Sequence, residues 1–185
     1  MLEKKLVTLV SVAGILACGA CFLPPLPEHV PPPPPVQLEM QGIHRIHVVA
    51  ENASPTHHLD ADKLASWIAV RTQTQGRGEK LTAFSGPGAP DQDGELKVEV
   101  LSESATPGTA VAKNGMVEWR FALSVTAELR SSTGVTIWRE SDGHYEFRHY
   151  EKPGDEAAAW ADNGFSDWLT VAVGNRVAYR MLSDR

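Results

Sequence analysis

The stretch that decides the fold is VEWRFALSVTAELRSSTGVTIWRESDGHYEFRHYE, from Val117 to Glu151. Its first part alternates apolar with polar residues as far as Arg130, which is the period of a strand with one buried face. A short polar turn closes at Gly134, and Val135 to Tyr150 returns as a second strand. The stretch therefore predicts a β-hairpin, and Gly143 in the return strand predicts a bulge or bend.

Upstream of the hairpin, the sequence predicts two more strands and one helix. Ile43 to Ala50 is short and rich in β-branched residues, and Leu96 to Val100 alternates apolar with charged residues, so each predicts a strand. Leu59 to Thr74 carries apolar residues at helical spacing and is followed by glycines, which predicts a helix. Leu81 to Gly94 is rich in glycine, proline and acids and predicts a loop.

Downstream of the hairpin, the sequence predicts one more helix. Lys152-Pro153-Gly154 breaks the strand, and two acids then begin a helix that should run to Leu182, with Gly164 as a point of interruption. The alternating strands leave one sheet face apolar and in need of cover. We therefore predict an α+β two-layer sandwich: a four-stranded mixed sheet with two helices on one face.

The beginning of the chain has the pattern of a secretory signal peptide, over residues 1–17. A basic flank precedes an apolar run that is shorter than the roughly 20 residues a membrane-spanning helix needs. The segment Ile15-Leu16-Ala17-Cys18 resembles a bacterial lipobox, which implies that Cys18 carries the lipid anchor and becomes the mature N-terminus. Cys21 is the alternative, less favoured because it lacks an aliphatic residue three positions upstream. A signal peptide with incidental cysteines is a third interpretation.

Residues 18–41 are predicted to form the lipidated N-terminus and a proline-rich linker. The segment PPLPEHVPPPPP, from Pro24 to Pro35, favours polyproline II and would act as a semi-rigid stalk of about 35 Å. A tolerated linker without a function of its own is the alternative, and a peptide ligand for other domains is a third, less favoured one. Residues 42–185 then form one domain of ordinary size. Since this domain contains no cysteine, its stability must come from its core.

Charge and motifs exclude several classes of function. The formal net charge is −6 with scattered cations, so the chain has no electrostatic footprint for nucleic acid. No serine lies in a GxSxG elbow, and no phosphate-binding or dinucleotide fingerprint occurs. We therefore expect a protein that is not an enzyme, with no catalytic site and no cofactor.

The histidines do not predict a metal site. His44 and His47 lie three apart in a predicted strand and should point to opposite faces, and adjacent histidines such as His57 and His58 rarely bind one ion together.

The tryptophans are predicted to lie in the core or at its edge, with Trp138 as the exception. Trp138 stands beside Arg139, on the face opposite Val135 and Ile137, where it could meet a partner. The others are Trp67, Trp119, Trp160 and Trp168.

The element order behind a lipobox cysteine, together with the stretch Val117 to Glu151, resembles the LptE family of lipopolysaccharide-assembly lipoproteins. The resemblance implies a palmitate-bearing lipoprotein on the periplasmic face of the outer membrane, which associates with the β-barrel LptD and assists lipopolysaccharide assembly. The proline stalk departs from the short connection usual in the family. Lipopolysaccharide phosphates would need exposed cations, for which the candidates are Lys113, Arg120, Arg130 and Arg139. A merely solvated strand face is the alternative for these four residues.

Two other functions are compatible with the same sequence. An envelope lipoprotein that recruits or activates a peptidoglycan-synthesising enzyme could use a small α+β domain on a long stalk, since the stalk gives reach toward the cell wall. A lipid-anchored hydrolase would need a deep pocket with two titratable groups of shifted pKa.

Overall fold

The computed structural model describes residues 42–76, 81–88, 91–111, 115–152, 154, 156–161 and 165–183. The predicted signal peptide (1–17), the predicted linker (18–41) and both cysteines lie outside the described residues. The elements in chain order are β1 (Arg45–Asn52), α1 (Ala61–Gln75), β2 (Thr82–Ser85), β3 (Gly94–Val111), β4 (Val117–Ser131), β5 (Thr136–Glu151), α2 (Glu156–Trp160) and α3 (Phe165–Ser183).

The sheet has the strand order β2-β1-β3-β4-β5. Strand β1 is parallel to both of its neighbours, whereas β3, β4 and β5 are successively antiparallel. The α+β class and the mixed sheet are confirmed, but the prediction of four strands is wrong because β2 is a fifth. This strand lies inside the predicted loop, and its four residues are too short for a periodic signal. Parallel pairing with β1 forms it, including a bond from the Thr82 N–H to the His44 carbonyl at 2.8 Å.

Strand β3 is far longer than the predicted segment from Leu96 to Val100. A register shift between Val100 and Ser102 changes which side chains face the core, so that Leu101 is exposed and Glu103 is buried. The alternation of polar and apolar residues breaks at this bulge. The sequence pattern therefore indicated that the strand ends at Val100, although it continues beyond that residue.

The predicted hairpin and its bulge are confirmed. Val125 lies opposite Gly143 and Ala127 opposite Glu140, so two residues of β5 face one residue of β4 between these pairs. A Cβ atom on Gly143 would lie 2.7 Å from the Val125 carbonyl oxygen, which explains why the bulge carries glycine.

One face of the sheet is covered by helices and forms the core. Helices α1 and α3 run side by side in the same direction, joined by the Lys63–Asp167 and Arg71–Asn175 contacts. Gly174 allows their close approach, because its Cβ position is 3.4 Å from side-chain atoms of α1. The single predicted final helix is two helices, since α2 ends before the predicted interruption and α3 begins after it. The largest fully buried side chains include Ile46, Leu64, Ile68, Leu96, Phe121, Leu123, Leu129, Tyr145 and Leu169.

The prediction for four tryptophans is confirmed: Trp119 and Trp160 are buried in the core, and Trp67 and Trp168 lie at its edge with 41% and 50% of their surface exposed. The interpretation of Trp138 as a side chain on the face away from the core is wrong. A register shift between Leu129 and Arg130 places Trp138 opposite Leu129, where it packs against the core. The extra residue reverses the alternation at this point.

Candidate binding face of the sheet

The face of the sheet turned away from the helices, here called the open face, carries mostly charged and polar side chains. It contains a shallow depression of about 310 Å³ near the start of β3 and the end of β4. The depression is lined by Glu95, Lys97, Glu99, Thr126, Ala127, Glu128, Arg130 and Arg139. A concave, polar surface is thus formed mainly by side chains at alternate positions of three antiparallel strands.

Charges in the depression are arranged in opposite-sign pairs. Lys97 Nζ lies 2.9 Å from a carboxylate oxygen of Glu51, and this hydrogen bond raises the pKa of the Lys97 ammonium. Arg130 donates to Glu128 at 2.8 Å, and Thr136 donates its hydroxyl to the other oxygen of Glu128 at 2.6 Å. These bonds, Arg130 first, lower the pKa of the Glu128 carboxyl. The depression therefore offers fixed cations and anions side by side.

Two of the predicted anion-contacting residues come together here. Arg139 lies opposite Glu128 in the β4–β5 ladder, and Arg130 is two residues further along β4. Sequence analysis missed Lys97, which joins them across β3. Its signal was present in the alternation of Leu96 to Val100, since Lys97 occupies the polar side of that strand.

The other two predicted contacts are not brought to this depression. Arg120 lies ten positions before Arg130 on the same strand, roughly 33 Å away at the rise of an extended chain. There its Nε atom is 3.5 Å from Glu118, which also approaches Arg148 at 3.7 Å and accepts a hydrogen bond from Tyr150 at 3.2 Å. Lys113 lies outside the described residues.

A buried polar cluster on the helix side of β5 was also missed by sequence reasoning. Glu140 accepts a hydrogen bond from the Tyr145 hydroxyl at 3.0 Å and a second one from Arg180 of α3. Burial, followed by the charge of Glu140, raises the pKa of the Tyr145 hydroxyl. Arg176 adds a contact with the Phe147 ring, 4.6 Å from its centroid. These contacts link α3 to β5 at the edge of the sheet, and the polar groups of the cluster bind one another.

A second buried carboxylate organises the connection between β1 and α1. Glu103 accepts hydrogen bonds from the Asn52 amide at 3.0 Å, the Thr56 hydroxyl at 3.0 Å and the backbone N–H groups of His58 and Leu59, both at 2.8 Å. The bulge after Val100 turns this carboxylate inward, so the sequence pattern could not assign its role. Its four donors give Glu103 a structural role.

The predicted strand histidines lie in different surroundings. His47 is buried, stacks on Phe84 and has its Nε2 atom 2.6 Å from the Gly86 carbonyl oxygen, whereas His44 is exposed just before β1. Among the residues that the structure describes, no three potential ligands come together as a metal site. In the same part of the chain, no helix combines the length and apolar character needed to cross a membrane.

Comparison with known proteins gives structural likenesses at low sequence identity. No protein-family model and no curated protein sequence matches the chain. A PelC dodecamer from Paraburkholderia phytofirmans is 16% identical, with a TM-score of 0.43, over 76% of this chain and 89% of that one. A DUF330 protein from Xanthomonas campestris is 10% identical, with a TM-score of 0.44, over 76% and 83%. Rare lipoprotein B from Shewanella oneidensis is 12% identical, with a TM-score of 0.38, over 75% and 91%. Lipoproteins are thus among the solved structures to which this chain is similar.

Proposed function

We propose that this chain is a lipid-anchored lipoprotein of the bacterial envelope that acts by binding rather than by catalysis. Its proposed partners are the outer-membrane β-barrel LptD and lipopolysaccharide, whose assembly at the outer membrane it assists from the periplasmic face. The anchor is assigned to Cys18 on the lipobox pattern of Ile15 to Cys18.

The observation that carries the proposal is the division of the sheet into two unlike faces. The covered face is occupied by α1 and α3 and is fully used in the core, whereas the open face presents paired charges across three long strands. A rigid sheet with a polar outer surface matches the polar interior of an outer-membrane barrel. The open face is therefore the surface that we assign to the barrel.

Lipopolysaccharide would be contacted at the depression on the open face. Its phosphate groups are anions that arginine and lysine bind through charge-assisted hydrogen bonds. Arg130 and Arg139 lie on neighbouring strands there, and Lys97 lines the same depression from β3. Binding a phosphate at Arg130 would replace its present hydrogen bond to Glu128.

The test is capture of partners by the full-length lipidated protein from detergent-solubilised envelopes. Recovery of LptD in a stable one-to-one complex is expected, and a Cys18→Ala and Cys21→Ala pair of variants identifies the anchored cysteine. Combined Arg130→Ala and Arg139→Ala should weaken capture of lipopolysaccharide, whereas Lys63→Ala on the exposed helix side is the matched control. Recovery of a cell-wall synthase, or of no partner, would contradict the proposal, and a synthase would favour the recruiting function instead.

A further inference from the structure

Strand β5 ends the sheet on one side. In the described part of the chain, β4 is its one strand neighbour, so the outer edge of β5 is not paired with another strand. An edge strand turns a row of backbone N–H and C=O groups outward, and such a row accepts a further strand. The outer edge of β5 is therefore a surface on which an extended chain can dock.

The bulge divides this edge into two unequal parts. From His144 to Glu151 the strand pairs with β4 in unbroken register, and this segment contains no proline. The residues before Gly143 are separated from it by the bulge. The segment from His144 to Glu151 is thus the part of the edge that can form a regular ladder.

Side chains of this segment carry a charge pattern that is complementary to itself. Glu146 and Arg148 both point to the open face, and 71% and 66% of their side-chain surfaces are exposed. We propose that this segment pairs antiparallel with the same segment of a second copy of the chain, about a two-fold axis at Phe147. Each Glu146 then lies directly opposite Arg148 of the second copy, which forms two equivalent ion pairs.

Other registers lose this complementarity. Shifting the axis by one residue places Glu146 opposite Glu146, or Arg148 opposite Arg148, and like charges directly opposite destabilise a ladder. Shifting it to Tyr145 brings the bulge beside Gly143 into the ladder, and shifting it to His149 carries the pairing past Glu151, the end of β5. The axis at Phe147 is the register that keeps both ion pairs and a regular ladder.

An exposed aromatic on the helix side lies beside the same position. The Trp168 ring of α3 meets the Phe147 ring edge-on at a centroid distance of 5.6 Å, although half of Trp168 is exposed. Because the axis passes at Phe147, the two copies bring their Trp168 side chains toward each other and remove apolar surface from water. The open faces of the two sheets then join into one surface, which leaves the depression accessible.

The test is sedimentation equilibrium of the full-length lipidated protein in density-matched detergent. The wild type is expected to show a reversible dimer. Glu146→Arg or Arg148→Glu alone should weaken association on the order of tenfold, since each replaces two ion pairs by two repulsions. Lys97→Glu, on β3 of the same open face, is the matched control and should leave association unchanged.

Two further samples keep the test decisive. The combined variant with both Glu146→Arg and Arg148→Glu should dimerise like the wild type, and an equimolar mixture of the two single variants should form a mixed dimer. If circular dichroism shows that a single variant folds poorly, the combined variant still tests whether Glu146 pairs with Arg148 of the second copy. A monomeric wild type, or a dimer that charge reversal does not affect, would overturn the inference. Capture of lipopolysaccharide by the two single variants tests the proposed function separately, because it is assigned to the depression, which neither Glu146 nor Arg148 lines.

Discussion

The covered face and the open face of the sheet differ in the interactions that hold their side chains in place. On the covered face, Phe121 and Leu123 are enclosed between β4 and the helices, and their positions are set by close packing. On the open face, Arg120 and Arg130 of the same strand are exposed and held by single ion pairs. The covered face therefore carries stability and the open face is available for binding, although both belong to the same strands.

The largest expected effect comes from removing packing on the covered face. Phe121→Ala should lower the free energy of unfolding by about 3–5 kcal/mol, because a fully buried ring leaves a cavity among Trp160 and Phe165. Urea unfolding of the full-length protein measures this loss. The matched variant on the open face of the same strand is Arg120→Ala, for which a change of about 0.5 kcal/mol or less is expected. Equal losses for the two variants would contradict the division of the sheet into a closely packed face and an exposed face.

A smaller effect is expected where the covered face holds a buried charge. Glu103→Ala should cost about 2–3 kcal/mol, since the N–H groups of His58 and Leu59 lose their acceptor. Glu103→Gln keeps an acceptor oxygen and should cost less. Both values come from urea unfolding, and hydrogen exchange at Leu59 should increase in the alanine variant. Unchanged exchange there would show that the carboxylate does not hold this connection.

The smallest effect is expected on the open face and depends on pH. Arg130 and Thr136 hold the pKa of the Glu128 carboxyl below its ordinary value, so the folded state favours the ionised form. The resulting stability is present above the ordinary pKa and is lost as the pH falls through the lowered one. Wild type should therefore be slightly more stable than Glu128→Gln at about pH 7, and this difference should disappear near about pH 3. A difference that persists in acid would contradict the assignment.

The face to which a side chain points was predicted correctly where polar and apolar residues alternate over a long stretch. It was predicted wrongly where a bulge interrupts that alternation. The strand from Val117 was predicted almost to the residue because its polar and apolar positions alternate without a break. Beyond Val100 a bulge reversed the faces, which hid the second part of β3 and the role of Glu103. A similar shift near Arg130 turned Trp138 toward the core, against the prediction.

The candidate binding face was predictable only in part. Arg130 and Arg139 were selected from the sequence as exposed cations, but their proximity depends on the register of the hairpin. Lys97 joins them because β3 pairs with β4, and this pairing connects residues far apart in the chain. Periodicity shows that a side chain is exposed, whereas strand pairing decides which exposed side chains become neighbours.

The sequence by itself determined the α+β class, the hairpin, the glycine bulge and the helical character of the segments that form α1 and α3, because each follows from local periodicity and from residues with special backbone geometry. Tertiary structure alone decided the fifth strand, the buried carboxylates and the depression on the open face. Four residues of β2 become a strand only when β1 lies beside them, since parallel pairing supplies the hydrogen bonds that so short a segment cannot form by itself.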